Sequence, residues 1–95
     1  MMLGGCGNPD ANSAKTMVDT ARTAIASLAA QEKPPAGDFK AMAELQKKGA
    51  LHLQKSDILK SCKGQGSYSL SALPGKIAIH ANCNGKAERG EWTNR

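Results

Sequence analysis

The sequence predicts a single small α+β domain, in which two helices pack on an antiparallel β-sheet. Three observations carry this prediction. Apolar residues recur at helical spacing in the first half of the chain, the spacing changes to two near residue 68, and two cysteines enclose the stretch where strands are predicted. With 95 residues, the chain has the size of one domain rather than of a multidomain enzyme.

The first predicted helix spans residues 13–31. Its apolar residues are spaced by three and four positions, which is typical of an amphipathic helix. These residues are Ala14, Met17, Val18, Ala21, Ile25 and Leu28. Asn12 or Ser13 can cap this helix, and Pro34-Pro35 prevents its continuation. The threonines lie mainly on the other side, so we expect one buried and one exposed face.

The second predicted helix is shorter and spans residues 39–48. Asp38 is placed as its N-cap, and Gly49 follows its last turn, where glycine often ends a helix. The stretch after it has no settled form, although Ser56 or Asp57 can start a further helical turn. It contributes four core candidates, which are Leu51, Leu53, Ile58 and Leu59.

The last third of the chain predicts a β-hairpin. Tyr68 and Leu70 alternate with serines, and a second alternating run contains Ile77, Ile79 and Ala81. Pro74-Gly75 favours a type II turn between the two strands. A third strand is predicted at residues 88–93, where Trp92 lies.

Cys62 and Cys83 enclose a segment with several glycines, so the chain can turn back and bring the two thiols together. Counting by twos places Cys83 on the buried face of its strand. A disulfide is the economical interpretation, and it implies an oxidising compartment. Two alternatives stay open: free thiols, or a zinc site in which His52 and His80 join the cysteines.

Cys6 ends the sequence Leu3-Gly4-Gly5-Cys6, which resembles the lipobox of bacterial lipoproteins, where the cysteine is acylated. A complete signal also needs a basic region and about 7 to 15 apolar residues before the cysteine, which Met1 to Gly5 do not supply. Three origins stay open: the end of a longer signal, vector-derived sequence, or chance. We assign residues 1–12 to a flexible tether or truncated leader, and residues 13–95 to the domain.

Catalytic signals are weak. Neither His52 nor His80 has a nucleophile or carboxylate arrangement around it that marks a catalytic group. The glycine-rich stretch 64–67 lacks the lysine of a phosphate-binding loop and leads into a predicted strand. The aspartates are placed near predicted caps or on a solvated helix face. We therefore expect no enzymatic activity, no cofactor, no metal and no small-molecule substrate.

The net charge of +5 favours contact with anionic surfaces, but the basic residues are scattered along the chain. Six basic residues from the half that contains the predicted sheet are candidates for a shared face: Lys55, Lys60, Lys63, Lys76, Lys86 and Arg89. They form either a weak patch for anionic ligands or an ordinary solvated surface. With only Tyr68 and Trp92 available for stacking there, we expect no nucleic-acid partner.

The order of the elements resembles the globular part of type IV pilins and pseudopilins. The segments that carry the resemblance are Cys62-Lys63-Gly64-Gln65-Gly66-Ser67-Tyr68-Ser69-Leu70 and Gly75-Lys76-Ile77-Ala78-Ile79-His80-Ala81-Asn82-Cys83. In many of these proteins a cysteine-glycine-tyrosine segment starts one strand and a second cysteine ends the next. The resemblance covers residues 13–86 in arrangement, and only residues 62–83 have the character of a motif.

The resemblance implies that residues 13–31 are the second half of a long pilin helix and that Cys62 and Cys83 form a clamping disulfide. Pilins also have a preceding hydrophobic half-helix for membrane storage and assembly, and residues 1–12 stand in its place here. The implied function is a non-catalytic, extracytoplasmic subunit that packs in a type IV pilus or a type II secretion pseudopilus. A small envelope lipoprotein, which binds or modulates an envelope partner, is the alternative.

Both interpretations place the chain in the bacterial cell envelope, with other envelope subunits as partners. Contact with the membrane is expected only through the missing half-helix or through a lipid on Cys6. The narrow, alanine-rich stripe of the first helix offers little surface for self-association, so we expect the isolated domain to be a monomer.

Overall fold

The computed structural model describes residues 9–35, 37–56 and 58–94. The elements in chain order are α1 (Pro9–Glu32), α2 (Phe39–Gln54), a 3-10 turn (Ile58–Ser61), β1 (Gly66–Leu73), β2 (Lys76–Cys83) and β3 (Lys86–Thr93). The strands form one antiparallel sheet in the order β1-β2-β3. Helix α1 packs on β2 and β3, and α2 packs on β1 and α1. The predicted α+β architecture is confirmed.

Helix α1 begins at Pro9, four residues before the predicted start. Proline suits the first turn because the N–H that it lacks would have no partner there, and the charge of Asp10 suits the positive end of the helix. Residues 9–12, which we expected in the tether, are therefore helical. Residues 1–8, which include Cys6, lie outside the described residues.

One face of α1 supplies much of the core. Its buried residues are Ala14, Met17, Val18, Ala21, Ile25 and Ala29. The predicted stripe is confirmed except at its end, where Leu28 is half-buried and Ala29 is buried instead. The helix approaches the sheet closely at Gly90 of β3, where an added Cβ would lie 2.4 Å from Cγ1 of Val18.

Helix α2 continues to Gln54, six residues beyond its predicted end. Its buried residues keep helical spacing throughout, and they are Met42, Leu45, Gly49 and Leu53. Gly49 was expected to end the helix, and that prediction is wrong. An added Cβ there would lie 3.5 Å from side-chain atoms of both Ile25 and Leu70, so Gly49 is a packing position between α1 and β1.

Two of the four core candidates after the second predicted helix are confirmed. Leu53 and Ile58 are buried, whereas Leu51 and Leu59 are 59% and 44% exposed. Leu51 lies off the buried stripe of α2. Leu59 follows the buried Ile58 in a turn with about three residues per turn, so its side chain points in another direction. The further helical turn is present as the 3-10 turn, and Ser56 Oγ accepts a hydrogen bond from the N–H of Ile58 at 3.3 Å.

The predicted hairpin and third strand are both present, and β3 begins two residues earlier than predicted. Gly75 has φ +75°, as a type II turn requires at its third position. Ile77, Ile79, Ala81 and Cys83 are buried under the helices, as the period of two predicted. Neither α1 nor α2 covers the opposite face of the sheet, and its residues are exposed or half-buried.

Helix α1 runs in the same direction as β3. Asp10, in the first turn of the helix, contacts Asn84 just before the strand. Arg22 contacts Glu91 in the second half of the strand. Beyond the helix, the Pro34 carbonyl accepts a hydrogen bond from the side chain of Asn94. The start of α1 and the end of β3 therefore lie at opposite ends of the domain.

Candidate functional site

Cys62 and Cys83 form a disulfide with an S–S distance of 1.98 Å, which confirms the predicted pairing. The bond connects the end of the 3-10 turn to the end of β2, and both residues are buried. Because each sulfur is bonded to the other, neither is a free thiol or a thiolate ligand, and both alternatives are wrong for this structure. Within residues 9–35, 37–56 and 58–94, no group of three His, Cys, Asp or Glu side chains is arranged to hold a metal ion.

Asn84 organises the end of the domain that carries the disulfide. Its φ of 52° is in the left-handed region, which asparagine tolerates better than most residues. Its Oδ1 accepts a hydrogen bond from the N–H of Gln65 at 2.9 Å, and its Nδ2 donates one to Oδ1 of Asp10 at 3.1 Å. Gly64 makes room for this side chain, since an added Cβ would lie 2.3 Å from Asn84 Oδ1. The glycine-rich stretch is thus a structural turn that leads into β1, which begins at Gly66.

The structure does not bring the histidines together. His52 is exposed on α2, and His80 is exposed on the face of the sheet that the helices leave uncovered. The described aspartates have structural contacts. Asp19 forms an ion pair with Arg22 at 3.0 Å, and Asp38 caps α2 as predicted, because its side chain accepts a hydrogen bond from the backbone of the first turn. Asp57 lies outside the described residues.

The six basic residues of the predicted anion-binding patch do not share one face. By register, Lys76 and Arg89 lie on the uncovered face of the sheet. Lys86 pairs with Cys83, whose side chain is on the buried face, so Lys86 lies on the other face from Lys76 and Arg89. Lys76 Nζ also lies 3.2 Å from a carboxylate oxygen of Glu91, which offsets its charge. The structure therefore favours the alternative of an ordinary solvated surface over a concentrated anion-binding patch.

The outward side of α1 and the neighbouring part of α2 form a shallow groove of about 520 Å³, which we call the interhelix groove. It is lined by Thr16, Asp19, Thr20, Thr23, Ala24, Ser27 and His52. Apart from Asp19 and His52, these side chains are small and uncharged. An ion pair between Lys48 and Glu32 joins the two helices near the end of α1.

A second groove, of about 500 Å³, lies between the end of α2, the 3-10 turn and the start of β1; we call it the β1-edge groove. It is lined by Leu53, Gln54, Ser56, Ile58, Leu59, Lys60, Gly66, Ser67 and Tyr68. Burial raises the pKa of the Tyr68 phenol above its ordinary 10.0. The sequence did not predict this groove, because Leu59 was assigned to the core.

Comparison of the chain with protein-family profiles, with curated proteins and with solved structures found no match. Among the described residues, no helix has the length and apolar character needed to cross a membrane.

Proposed function

We propose that this chain is a non-catalytic structural subunit of the bacterial cell envelope, a pilin-like or pseudopilin-like head that packs against neighbouring subunits through α1. The observation that carries the proposal is the difference between the two sides of α1. The sheet covers one side, while the other is exposed and lined by the small side chains of the interhelix groove. Small side chains allow a second helix to approach closely, because the distance between helix axes depends on the side chains at the contact.

The disulfide supports an extracytoplasmic location. Disulfides form and persist in oxidising compartments and are rare where thiols are kept reduced. The Cys62–Cys83 bond also joins the segment after the 3-10 turn to the end of β2, which stabilises the folded domain. A packing role needs no catalytic group, and the exposed histidines lie on opposite sides of the sheet.

The test is photo-crosslinking of the full gene product in the envelope of its host bacterium. Benzoylphenylalanine in place of Thr20, which lines the interhelix groove, should give a ladder of products at multiples of the subunit mass. The control is the same amino acid in place of Ser71, which is exposed on β1. Absence of the ladder from the Thr20 position, or equal ladders from both positions, would contradict packing through α1.

The second candidate, an envelope lipoprotein, is favoured by the sequence around Cys6. This cysteine is three positions before Pro9, where α1 begins, so a lipid on Cys6 would hold the domain to a membrane by the Asp10 end of the helix. The test is incorporation of labelled palmitate by the full gene product, which Cys6→Ser should abolish. Labelling at Cys6 without a crosslinked ladder would favour this candidate over the filament subunit.

A further inference from the structure

The two edge strands of the sheet differ in charge. Strand β3 carries four charged residues among its eight, which are Lys86, Glu88, Arg89 and Glu91. Strand β1 has the sequence GSYSLSAL, without a charged residue or a proline. Charges and prolines on an edge strand discourage pairing with a further strand. The edge of β1 lacks both of these protections.

Side chains from the helices cover parts of both edges. Arg22 Nε donates a hydrogen bond to the Glu91 carbonyl at 3.1 Å on the β3 edge. Gln46 Nε2 donates one to the Leu70 carbonyl at 3.3 Å on the β1 edge. In an antiparallel strand, every second residue directs its N–H and C=O to the same side, so Tyr68 and Gly66 present theirs on the same edge as Leu70. Among the described strands, none pairs with this side of β1.

The part of the edge that Gln46 does not cover adjoins the β1-edge groove. Gly66, Ser67 and Tyr68 form one wall of the groove. Leu59 contributes exposed apolar surface above the buried Leu53 and Ile58, and Gln54, Ser56 and Lys60 complete the lining. A strand added beside Tyr68 would therefore place every second side chain towards apolar surface, while its backbone binds the edge. This combination of a hydrogen-bonding edge and an adjoining apolar pocket is how proteins bind extended peptides by strand addition.

We propose that the first half of the β1 edge, together with the β1-edge groove, binds an extended peptide segment of another protein. The segment is uncharged along the paired residues and inserts a large apolar side chain beside Leu59. A second copy of this chain fits less well, because Gln46 covers the edge at Leu70 and limits the uncovered first half of the edge to residues 66–69 for a symmetric pair of strands. Two such short edges bury far less than the roughly 1,200 Å² of a stable interface. This site is distinct from the interhelix groove, so the proposal does not depend on the filament role.

The test uses the folded protein with its disulfide intact and a labelled probe peptide in which valine and leucine alternate with threonine. We expect saturable binding with a Kd below about 500 μM, a modest affinity in keeping with a short strand. A second peptide, N-methylated on the amides that would face β1, should bind at least ten-fold more weakly. Absence of binding by the first peptide, or equal binding by both, would overturn the proposal.

Two matched variants test the groove. Leu59→Glu places a charge in the groove and should lower the affinity for the probe peptide at least ten-fold. Leu51→Glu, at a still more exposed leucine of α2, should leave this affinity unchanged. Both side chains are exposed, so both variants should keep the melting temperature of the parent. Unchanged affinity in Leu59→Glu, or equal losses in the two variants, would overturn the proposal. Dimerisation of the protein alone through β1, seen by sedimentation at about 100 μM, would also overturn the proposal, because a second copy would then occupy the edge.

Discussion

The side-chain amide of Asn84 donates a hydrogen bond to the carboxylate of Asp10 at 3.1 Å, although the two residues are 74 positions apart in sequence. The same side chain accepts a hydrogen bond from the backbone of Gln65. One residue in the turn between β2 and β3 thus connects the first turn of α1 with the segment that leads into β1. The arrangement fixes three distant parts of the chain beside the disulfide.

Asn84→Gly keeps a residue that tolerates the positive φ and removes the side-chain hydrogen bonds to Asp10 and Gln65. We expect it to lower the free energy of unfolding by about 1 to 3 kcal/mol. Asn84→Ala should cost more, because alanine is also strained at φ 52°. Urea unfolding of both variants separates the contribution of the side-chain hydrogen bonds from that of the backbone strain. If Asn84→Gly were as stable as the parent, the hydrogen bonds to Asp10 and Gln65 would make no net contribution to the free energy of unfolding.

The two glycines that face helix α1 should respond oppositely to alanine. At Gly90 the new methyl group would lie 2.4 Å from Val18 Cγ1, so Gly90→Ala should destabilise by about 1 to 3 kcal/mol. At Gly49 it would meet its neighbours at an ordinary 3.5 Å, so Gly49→Ala should stabilise by about 0.5 to 1 kcal/mol through helix propensity. Thermal unfolding compares them. Val18→Ala should recover part of the Gly90→Ala loss, and purely additive effects would show that these two residues do not clash.

The two faces of α1 should differ in their tolerance of charge. Ile25 is fully buried, so Ile25→Asp places an unpaired carboxylate in the core and should cost several kcal/mol, on the order of 3 or more. Thr23 is exposed in the interhelix groove, and Thr23→Asp should change stability by less than about 0.5 kcal/mol. Leu28→Asp, at a half-buried position, should lower stability by an amount between those of Ile25→Asp and Thr23→Asp. Chemical denaturation gives the ranking, and equal effects at Ile25 and Thr23 would contradict the orientation of the helix.

Loss of the disulfide should weaken the whole domain. Replacement of both Cys62 and Cys83 by serine should lower the free energy of unfolding by about 2 to 5 kcal/mol, since the bond limits the freedom of the unfolded chain. Peptide mapping without reductant should find the two cysteine peptides joined. Cys6→Ser, a control that leaves this bond intact, should preserve the linked peptides. Free thiols at both positions in protein from an oxidising compartment would also remove the argument for an extracytoplasmic location.

Tyr68 is the only tyrosine in the sequence, so its ionisation can be followed by the ultraviolet absorbance of phenolate. Burial disfavours the charged form and raises the pKa of Tyr68 in the folded protein above 10.0. The folded state therefore holds the phenolic proton more tightly than the unfolded state. The resulting stability is complete below the unfolded pKa and is lost as pH rises through the raised folded pKa. Tyr68→Phe should show a shallower loss of stability above pH 10 than the parent, and identical slopes would contradict the burial of this phenol.

The elements with strong periodicity were the predictable part of the fold. The alternation from Tyr68 to Cys83 correctly predicted the hairpin and the buried face on which Cys83 lies, because a period of two leaves little freedom in which side chains face the core. The end of α2 was not predictable from local signals. Glycine often ends a helix, yet Gly49 lies inside α2, where it is buried between α1 and β1 and the helix continues to Gln54.

The start of α1 and the β1-edge groove were missed for different reasons. A signal for the helix start was present, because proline followed by an acidic residue suits a first helical turn, and Pro9-Asp10 was interpreted as a polar tether instead. No local pattern distinguishes the buried Ile58 from the exposed Leu59. Their difference depends on the 3-10 turn, whose orientation is set by contacts with α1.

Because α1 and β3 run in the same direction, a pulling force applied between residues 9 and 94 would slide the helix along the sheet. Contacts spaced along the whole interface, from Asp10 with Asn84 to Pro34 with Asn94, would resist at the same time instead of breaking one after another. A structure attached at residue 9 and another attached at residue 94 would also be held apart by the length of the helix. Force applied between residues 9 and 94 would thus load the contact between α1 and β3 in shear.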